Sequence, residues 1–218
     1  MHSPTALDAF LALRKDLLTG KKYKMGEYLN KEELAQQYQV SRGSITHALH
    51  KLEMEDLVAS EQNRRMRVIG ISAQYITDMY DVRVWLEKKA METLLREDYV
   101  DYTPLIQVMN SMQEEMNKGE DADPVIMAQL GFNIHVAMFQ ICGNRAIFQA
   151  WKPASGIMQE IVHINGFYSP AEETYRKHKV LYDSIIQKWP NALQVIEEHI
   201  MTVSRDVYHE FLKNNREE

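Results

Sequence analysis

Three histidines pose the first chemical question. His135, His178 and His199, among eight in the chain, each stand amid apolar residues at helical spacing. Phe132 and Phe139 neighbour His135, Leu181 and Ile185 follow His178, and Val195 and Val203 bracket His199. That period lets each imidazole point inward from a different helix. Three imidazoles meeting in a helical core would suit zinc or nickel, with open positions for water or a ligand. No two of them lie within one helical turn, and a histidine on an apolar face is commonly a hydrogen-bonded core residue, so spacing alone leaves both readings open. Arg83 is the next candidate, on a segment carrying Met79, Val82, Trp85 and Leu86. A guanidinium drawn inward requires an anion, either an internal Asp or Glu or the carboxylate of a bound ligand. Cys142 is the only cysteine, which excludes a disulfide framework and a thiolate zinc site. It reads as a small buried hydrophobe. Three metal-bound imidazoles could also activate water, so a metal-dependent helical enzyme with an accessory nucleic-acid-binding head is the alternative. No His-Glu-x-x-His and no adjacent His-Asp pair supplies a general base, and no catalytic residue is assigned.

A second constellation lies near the N-terminus. Between Asn30 and Leu52 the apolar residues Leu34, Ala35, Val40, Ile45, Leu49 and Leu52 have the spacing of a helix-turn-helix. Arg42, Ser44, Thr46, His47 and Lys51 are then left to face outwards. The start of the second helix in such a motif meets base edges in the major groove. Arg42 could pair with guanine, while Ser41, Ser44 and Thr46 could reach phosphates or base edges. The turn Arg64-Arg65-Met66-Arg67 would carry guanidinium groups to the DNA backbone or minor groove. The competing reading is an ordinary solvated polar face.

The elements that must position these residues are mostly helices. Glycine and proline number 9 and 6 in 218 residues. A first helix is expected from the Ser3-Pro4 cap to about Leu18, a second from Asn30, with Glu33 at capping-box spacing, and a third from Ser41 to about Glu55. A strand at Leu57-Val58-Ala59, a polar turn and a strand ending Val68-Ile69 complete a winged helix. From Ser72 the periodicity is helical throughout, with segments at roughly 73–97, 102–118, 122–142, 144–165, 169–188 and 190–214. Six consecutive helices without a strand indicate a bundle. Pro153 should kink or split the fourth, and Asn144 should cap it. The fold class is therefore mainly α, an N-terminal winged helix-turn-helix (1–71) followed by an all-helical bundle (72–218).

Charge follows the same division. Residues 1–72 carry 11 Lys and Arg against 9 Asp and Glu, the remainder 14 against 22, within a net charge of −6. An acidic body with a mildly basic head confines any DNA contact to the head. No basic n-region or apolar h-region opens the chain, and no run of 18 apolar residues suggests a membrane span, so a cytoplasmic protein is expected.

The run Met25-Gly26-Glu27-Tyr28-Leu29-Asn30-Lys31-Glu32-Glu33-Leu34-Ala35, continued by Val40-Ser41-Arg42-Gly43-Ser44-Ile45-Thr46-His47-Ala48-Leu49-His50-Lys51-Leu52-Glu53, resembles the winged helix of the GntR family. Met25, Thr46 and Arg65 depart from its usual proline, arginine and wing glycine. Residues 76–210 resemble the FCD effector domain of FadR-type members, through Val82-Arg83-Val84-Trp85-Leu86-Glu87, His135 with Gly143-Asn144, and the later His178 and His199. The resemblance implies a homodimeric, DNA-binding regulator, in many relatives a repressor released by a sugar acid or other carboxylate. It also implies a divalent metal on the three histidines plus an aspartate four residues before the first, with a nearby arginine, here Arg83, holding the effector. Gly131 occupies that aspartate position, so the site loses its only anionic ligand and a place for water or effector is left vacant. A metal-free polar pocket, or a regulator whose effector is the metal itself, are the other outcomes to weigh.

Overall fold

The computed structural model describes residues 5–20, 22–62 and 65–214. They form two compact units, 1–72 and 73–218. The expected cap at Ser3-Pro4 lies outside the described residues. The described helix α1 (Ala6–Thr19) is instead capped by Thr5, whose hydroxyl accepts from the Asp8 amide while Asp8 accepts from the Thr5 amide. That reciprocal pair satisfies two backbone donors that the helix leaves orphaned.

Strand β1 (Tyr28–Leu29) leads into α2 (Lys31–Gln37), capped by the Asn30 side chain. Glu33 does not return to the Asn30 backbone; its carboxylate accepts from the Asn30 side-chain amide at 2.9 Å. Gln39 turns the chain at φ 54°, and Ser41 caps α3 (Arg42–Met54) through the Ser44 amide at 3.0 Å. Strands β2 (Val58–Ser60) and β3 (Met66–Val68) form the wing. The sheet has the order β1-β3-β2 and is antiparallel throughout. The extra strand β1 was not expected. It is two residues long, too short to show an alternating pattern. Leu13, Leu17 and Leu18 of α1 share one buried core with Leu34, Ile45, Leu49, Leu52, Leu57 and Val58.

Among its described residues the second unit has only helices as regular elements: α4 (Ala73–Arg96), α5 (Thr103–Met116), α6 (Pro124–Cys142), α7 (Arg145–Asn165), α8 (Ala171–Ile186) and α9 (Ala192–Asn214), with a short 3-10 turn at Gly119–Asp121. α4 packs against α6, α7 and α9, and α6 also contacts α5 and α8. α6 is long and apolar enough, by length and composition, to cross a membrane. Here its apolar length serves the bundle core, where Met127, Ile134, Met138 and Phe139 are buried. Asn144 caps α7 through the Ile147 amide, as expected. Pro153 does not split α7, which runs unbroken to Asn165. Proline strips its i−4 carbonyl of a partner, but that carbonyl belongs to exposed Gln149, and Pro153 is itself exposed, so water can serve it.

Candidate functional site

The three histidines come from three helices: His135 from α6, His178 from α8 and His199 from α9. Their ring nitrogens all lie within 4.8 Å of one another. His135 and His178 are buried and His199 is half-buried. Each of the first two rings is held by its Nδ1. His135 Nδ1–H donates to Glu87 Oε2 at 2.5 Å, and His178 Nδ1–H donates to the Thr174 carbonyl at 2.8 Å. These bonds fix the tautomers and turn both Nε2 atoms towards the cluster, as outer partners do around metal-ligating histidines. His199 Nε2 stands 3.2 Å from His135 Nε2.

Glu87, on α4, is fully buried and holds the arrangement together. Its Oε1 accepts from Trp151 Nε1 at 2.8 Å and from Arg83 Nε at 2.9 Å. Burial works against ionising this carboxyl. The His135 and Arg83 sides of the network, with the His135 and Trp151 hydrogen bonds, outweigh it and bring the group down to about 2. Burial, and then the neighbouring His135, pushes His178 down to about 3. Burial followed by His178 and His135 takes His199 well below 6.5. His178 and His199 are therefore neutral at pH 7, the form that ligates metal.

The donor set fits a divalent metal. Two nitrogens on one tetrahedral zinc at about 2.0–2.1 Å stand roughly 3.3 Å apart, close to the His135–His199 separation. His135, His178 and His199 would hold the ion, which would supply a Lewis-acidic positive centre facing the cavity. The His178 ring packs against Gly131. A Cβ at Gly131 would meet His178 Cε1 at 2.6 Å and Nε2 at 2.8 Å.

The cluster opens on a cavity of about 820 Å³ lined by residues of α4, α6, α7, α8, α9 and the α7–α8 loop, Tyr80, Arg83, Gln129, Tyr168 and Lys177 among them. Arg83 has an internal partner, Glu87, and also lines the cavity. A guanidinium has five N–H donors, and Glu87 engages those on Nε and Nη2. Glu87 stands in the motif Val82-Arg83-Val84-Trp85-Leu86-Glu87, but the motif by itself does not mark its role. Its position four residues after Arg83 was the available signal, since such residues are neighbours on a helix. Val82 and Trp85, expected to surround Arg83 with apolar contacts, are 42% and 78% exposed.

In the first unit, Arg42 and His47 are exposed on α3. Arg42 Nε pairs with Glu32 Oε1 of α2 at 2.9 Å. Ser44 and Thr46 are half-buried, and their hydroxyls are engaged with the Ser41 hydroxyl and the Arg42 carbonyl. Lys51 extends over the Phe10 ring of α1. In the wing, Arg65 stacks on Tyr28, its Cζ 3.8 Å from the ring centre, while Arg67 pairs with Glu61, which also accepts from the Tyr28 hydroxyl. Arg64 lies outside the described residues.

A winged helix-turn-helix joined to a helical sensor-like unit defines a class of ligand-responsive transcriptional regulators. Residues 5–68 match the family model of bacterial regulatory proteins of the gntR family, and residues 78–202 match the FCD domain. The chain belongs to the GntR family, in its FCD-containing branch. It is 23% identical, over 85% of this chain and 83% of the relative, to an uncharacterized HTH-type transcriptional regulator, YdhC, of Bacillus subtilis (strain 168). It is 27% identical, over 63% of this chain and 55% of the relative, to the gluconate operon transcriptional repressor of the same organism. Among solved structures, a protein described as Lar, which controls the expression of the Listeria monocytogenes agr system, superposes with TM-score 0.69 at 15% identity, covering 98% of this chain and 99% of that one. E. coli McbR/YncC does so with TM-score 0.62 at 17% identity, over 94% and 98%. These structural likenesses concern the fold.

Proposed function

We propose that this regulator is a cytoplasmic homodimeric repressor, released from an imperfect palindromic operator by a small organic acid bound in the helical unit. Ser41, Arg42, Ser44, Thr46, His47 and Lys51 on or beside α3, with Arg64 and Arg65 of the wing, contact the DNA. Arg83, His135, His178 and His199 hold the acid, and the three histidines hold one zinc or nickel ion per chain. The observation that carries this reading is the buried Arg83–Glu87–His135 network at the head of the cavity. It fixes a cation and an oriented imidazole at one place, which is what anchoring a carboxylate requires. The two gluconate operon repressors among the relatives direct the choice towards sugar acids, whose hydroxyl groups suit Gln129, Tyr168 and Thr174 on the cavity wall. A partner copy would cover the exposed Val82 and Trp85 of α4, and a two-fold dimer matches a palindrome. The test is calorimetric titration of a sugar-acid panel including gluconate into wild-type, Arg83→Ala and His178→Ala proteins, with metal content measured on each. Saturable binding by wild type that both variants lose supports the reading. Equal binding by all three rejects it.

A further inference from the structure

Arg83 is held from both directions along α4. Residues three and four apart on a helix are neighbours, and Arg83 has Tyr80 three before it and Glu87 four after it. Glu87 Oε1 takes Nε and Nη2, each at 2.9 Å. Those two atoms lie on one edge of the guanidinium plane, so Nη1 and the outer N–H of Nη2 form the edge left for a ligand. Tyr80 is the second hold: Arg83 Cζ stands 5.3 Å from the centre of its ring, within the reach of a cation–π contact. Tyr80 is only 1% exposed although it stands among the residues lining the cavity, so it offers a ligand almost no surface of its own. Burial pushes its phenol up to about 12, against the pull of Arg83. The ring is therefore neutral at pH 7 and leaves the arginine's charge to Glu87 and an entering acid.

We propose that Tyr80 is a positioning residue for effector binding: its ring and the Glu87 carboxylate fix the guanidinium between them, so that the Nη1–Nη2 edge meets a carboxylate already oriented. The inference rests on the proposed role of Arg83 as the anchor of an acid. A planar fork held in advance loses little freedom when it binds, and its end edge can receive both carboxylate oxygens at once. Without the ring, the long side chain keeps more rotamers to lose. The same hydrogen bonds then form at a larger cost in entropy, and the acid binds more weakly.

The test compares full-length wild type, Tyr80→Phe, which keeps the ring, and Tyr80→Leu, which removes it. Calorimetric titration with the sugar-acid panel, gluconate included, reads acid affinity. NMR of ligand-free protein reads the Tyr80–Arg83 contact directly, and the His178 Nδ1–H signal, from its bond to Thr174, reports whether the cluster stays built. The expected result is that Tyr80→Leu binds the acid about fivefold or more weakly while Tyr80→Phe stays within about twofold of wild type, the scale of a desolvated cation–π contact. The His178 signal is expected unchanged in all three, and nuclear Overhauser contacts are expected between the Tyr80 ring and the Arg83 side chain in wild type. A phenylalanine variant as weak as the leucine variant, or a leucine variant as tight as wild type, overturns the inference. So does loss of the His178 signal in step with acid affinity, because the ring would then support the bundle generally. Should Tyr80→Leu not fold, wild type and Tyr80→Phe still decide: absent ring contacts to Arg83, or affinity lost in Tyr80→Phe, reject it. Acid binding that Arg83→Ala abolishes and Tyr80→Leu leaves intact sinks this inference alone. If wild type binds no acid, the reading of Arg83 as anchor fails and takes the inference with it.

Discussion

Glu87 illustrates how much one buried carboxylate can organise. It receives Arg83, His135 and Trp151 at once, from α4, α6 and α7. Removing its charge leaves a guanidinium buried without its counter-ion, a change that costs about 3 kcal/mol or more. Glu87→Gln should therefore lower the urea-unfolding stability by that amount; a loss below about 1 kcal/mol would show that the network contributes little. The same side chains set a pH dependence. Glu87 ionises at about 2 in the folded chain against 4.5 ordinarily, so its contribution is complete above about pH 4.5 and fades as pH falls towards 2. His178 titrates at about 3 when folded against 6.5 ordinarily. The unfolded chain therefore takes up that proton first, and stability drops as pH falls from 6.5 towards 3. Chelator-treated protein should lose stability steadily below pH 6.5, and His178→Gln should flatten the upper part of that slope. An unchanged slope would contradict the burial of a neutral His178. Apolar neighbours at helical spacing left the facing of the three histidines open, and only the family resemblance pointed to their meeting. The packing of the His178 ring against Gly131 was not legible, because a contact between α6 and α8 leaves no mark in either segment's period.

Helices whose ends carry their own chemistry were the most legible elements. Asn30, Ser41 and Asn144 each satisfy the amides that their side chains suggested. β1 escaped notice because two residues cannot display an alternation, and its place depends on pairing with β3. α7 shows where a local rule is outweighed: Pro153 removes one hydrogen bond, yet Trp151, Ala154, Ile157, Met158 and Ile161 bury one continuous face on either side of it. Tertiary packing then holds a helix that propensity disfavours. Pro153→Ala should restore the Gln149 bond and stabilise the protein by about 1–3 kcal/mol in thermal or urea unfolding. A destabilised variant would mean that a bend at Pro153 is needed by the bundle. On α3, Arg42 is exposed at the first helical position and steadied by Glu32. Arg42→Ala should weaken DNA binding at least about tenfold, consistent with loss of a bidentate base contact, while circular dichroism stays unchanged. Undiminished affinity would remove α3 from the reading surface.

Across the whole molecule, the division of charge sets the terms of DNA recognition. A head with 11 basic residues against 9 acidic ones on an acidic body offers few phosphate contacts. Salt dependence should therefore be modest for each chain, and in the proposed dimer affinity would rest on two heads acting together. A ligand in the helical unit can regulate such a pair only if it favours one arrangement of the heads over the other, and the size of that preference bounds the response. The direct measurement is fluorescence anisotropy on a duplex selected by the protein from a random library, with and without each acid of a sugar-acid panel, for wild type and Arg83→Ala. The account predicts that at least one acid weakens wild-type binding by about fivefold or more, while Arg83→Ala binds the duplex equally well and fails to respond. A wild-type complex indifferent to every acid, or an Arg83→Ala protein released as readily as wild type, would contradict it.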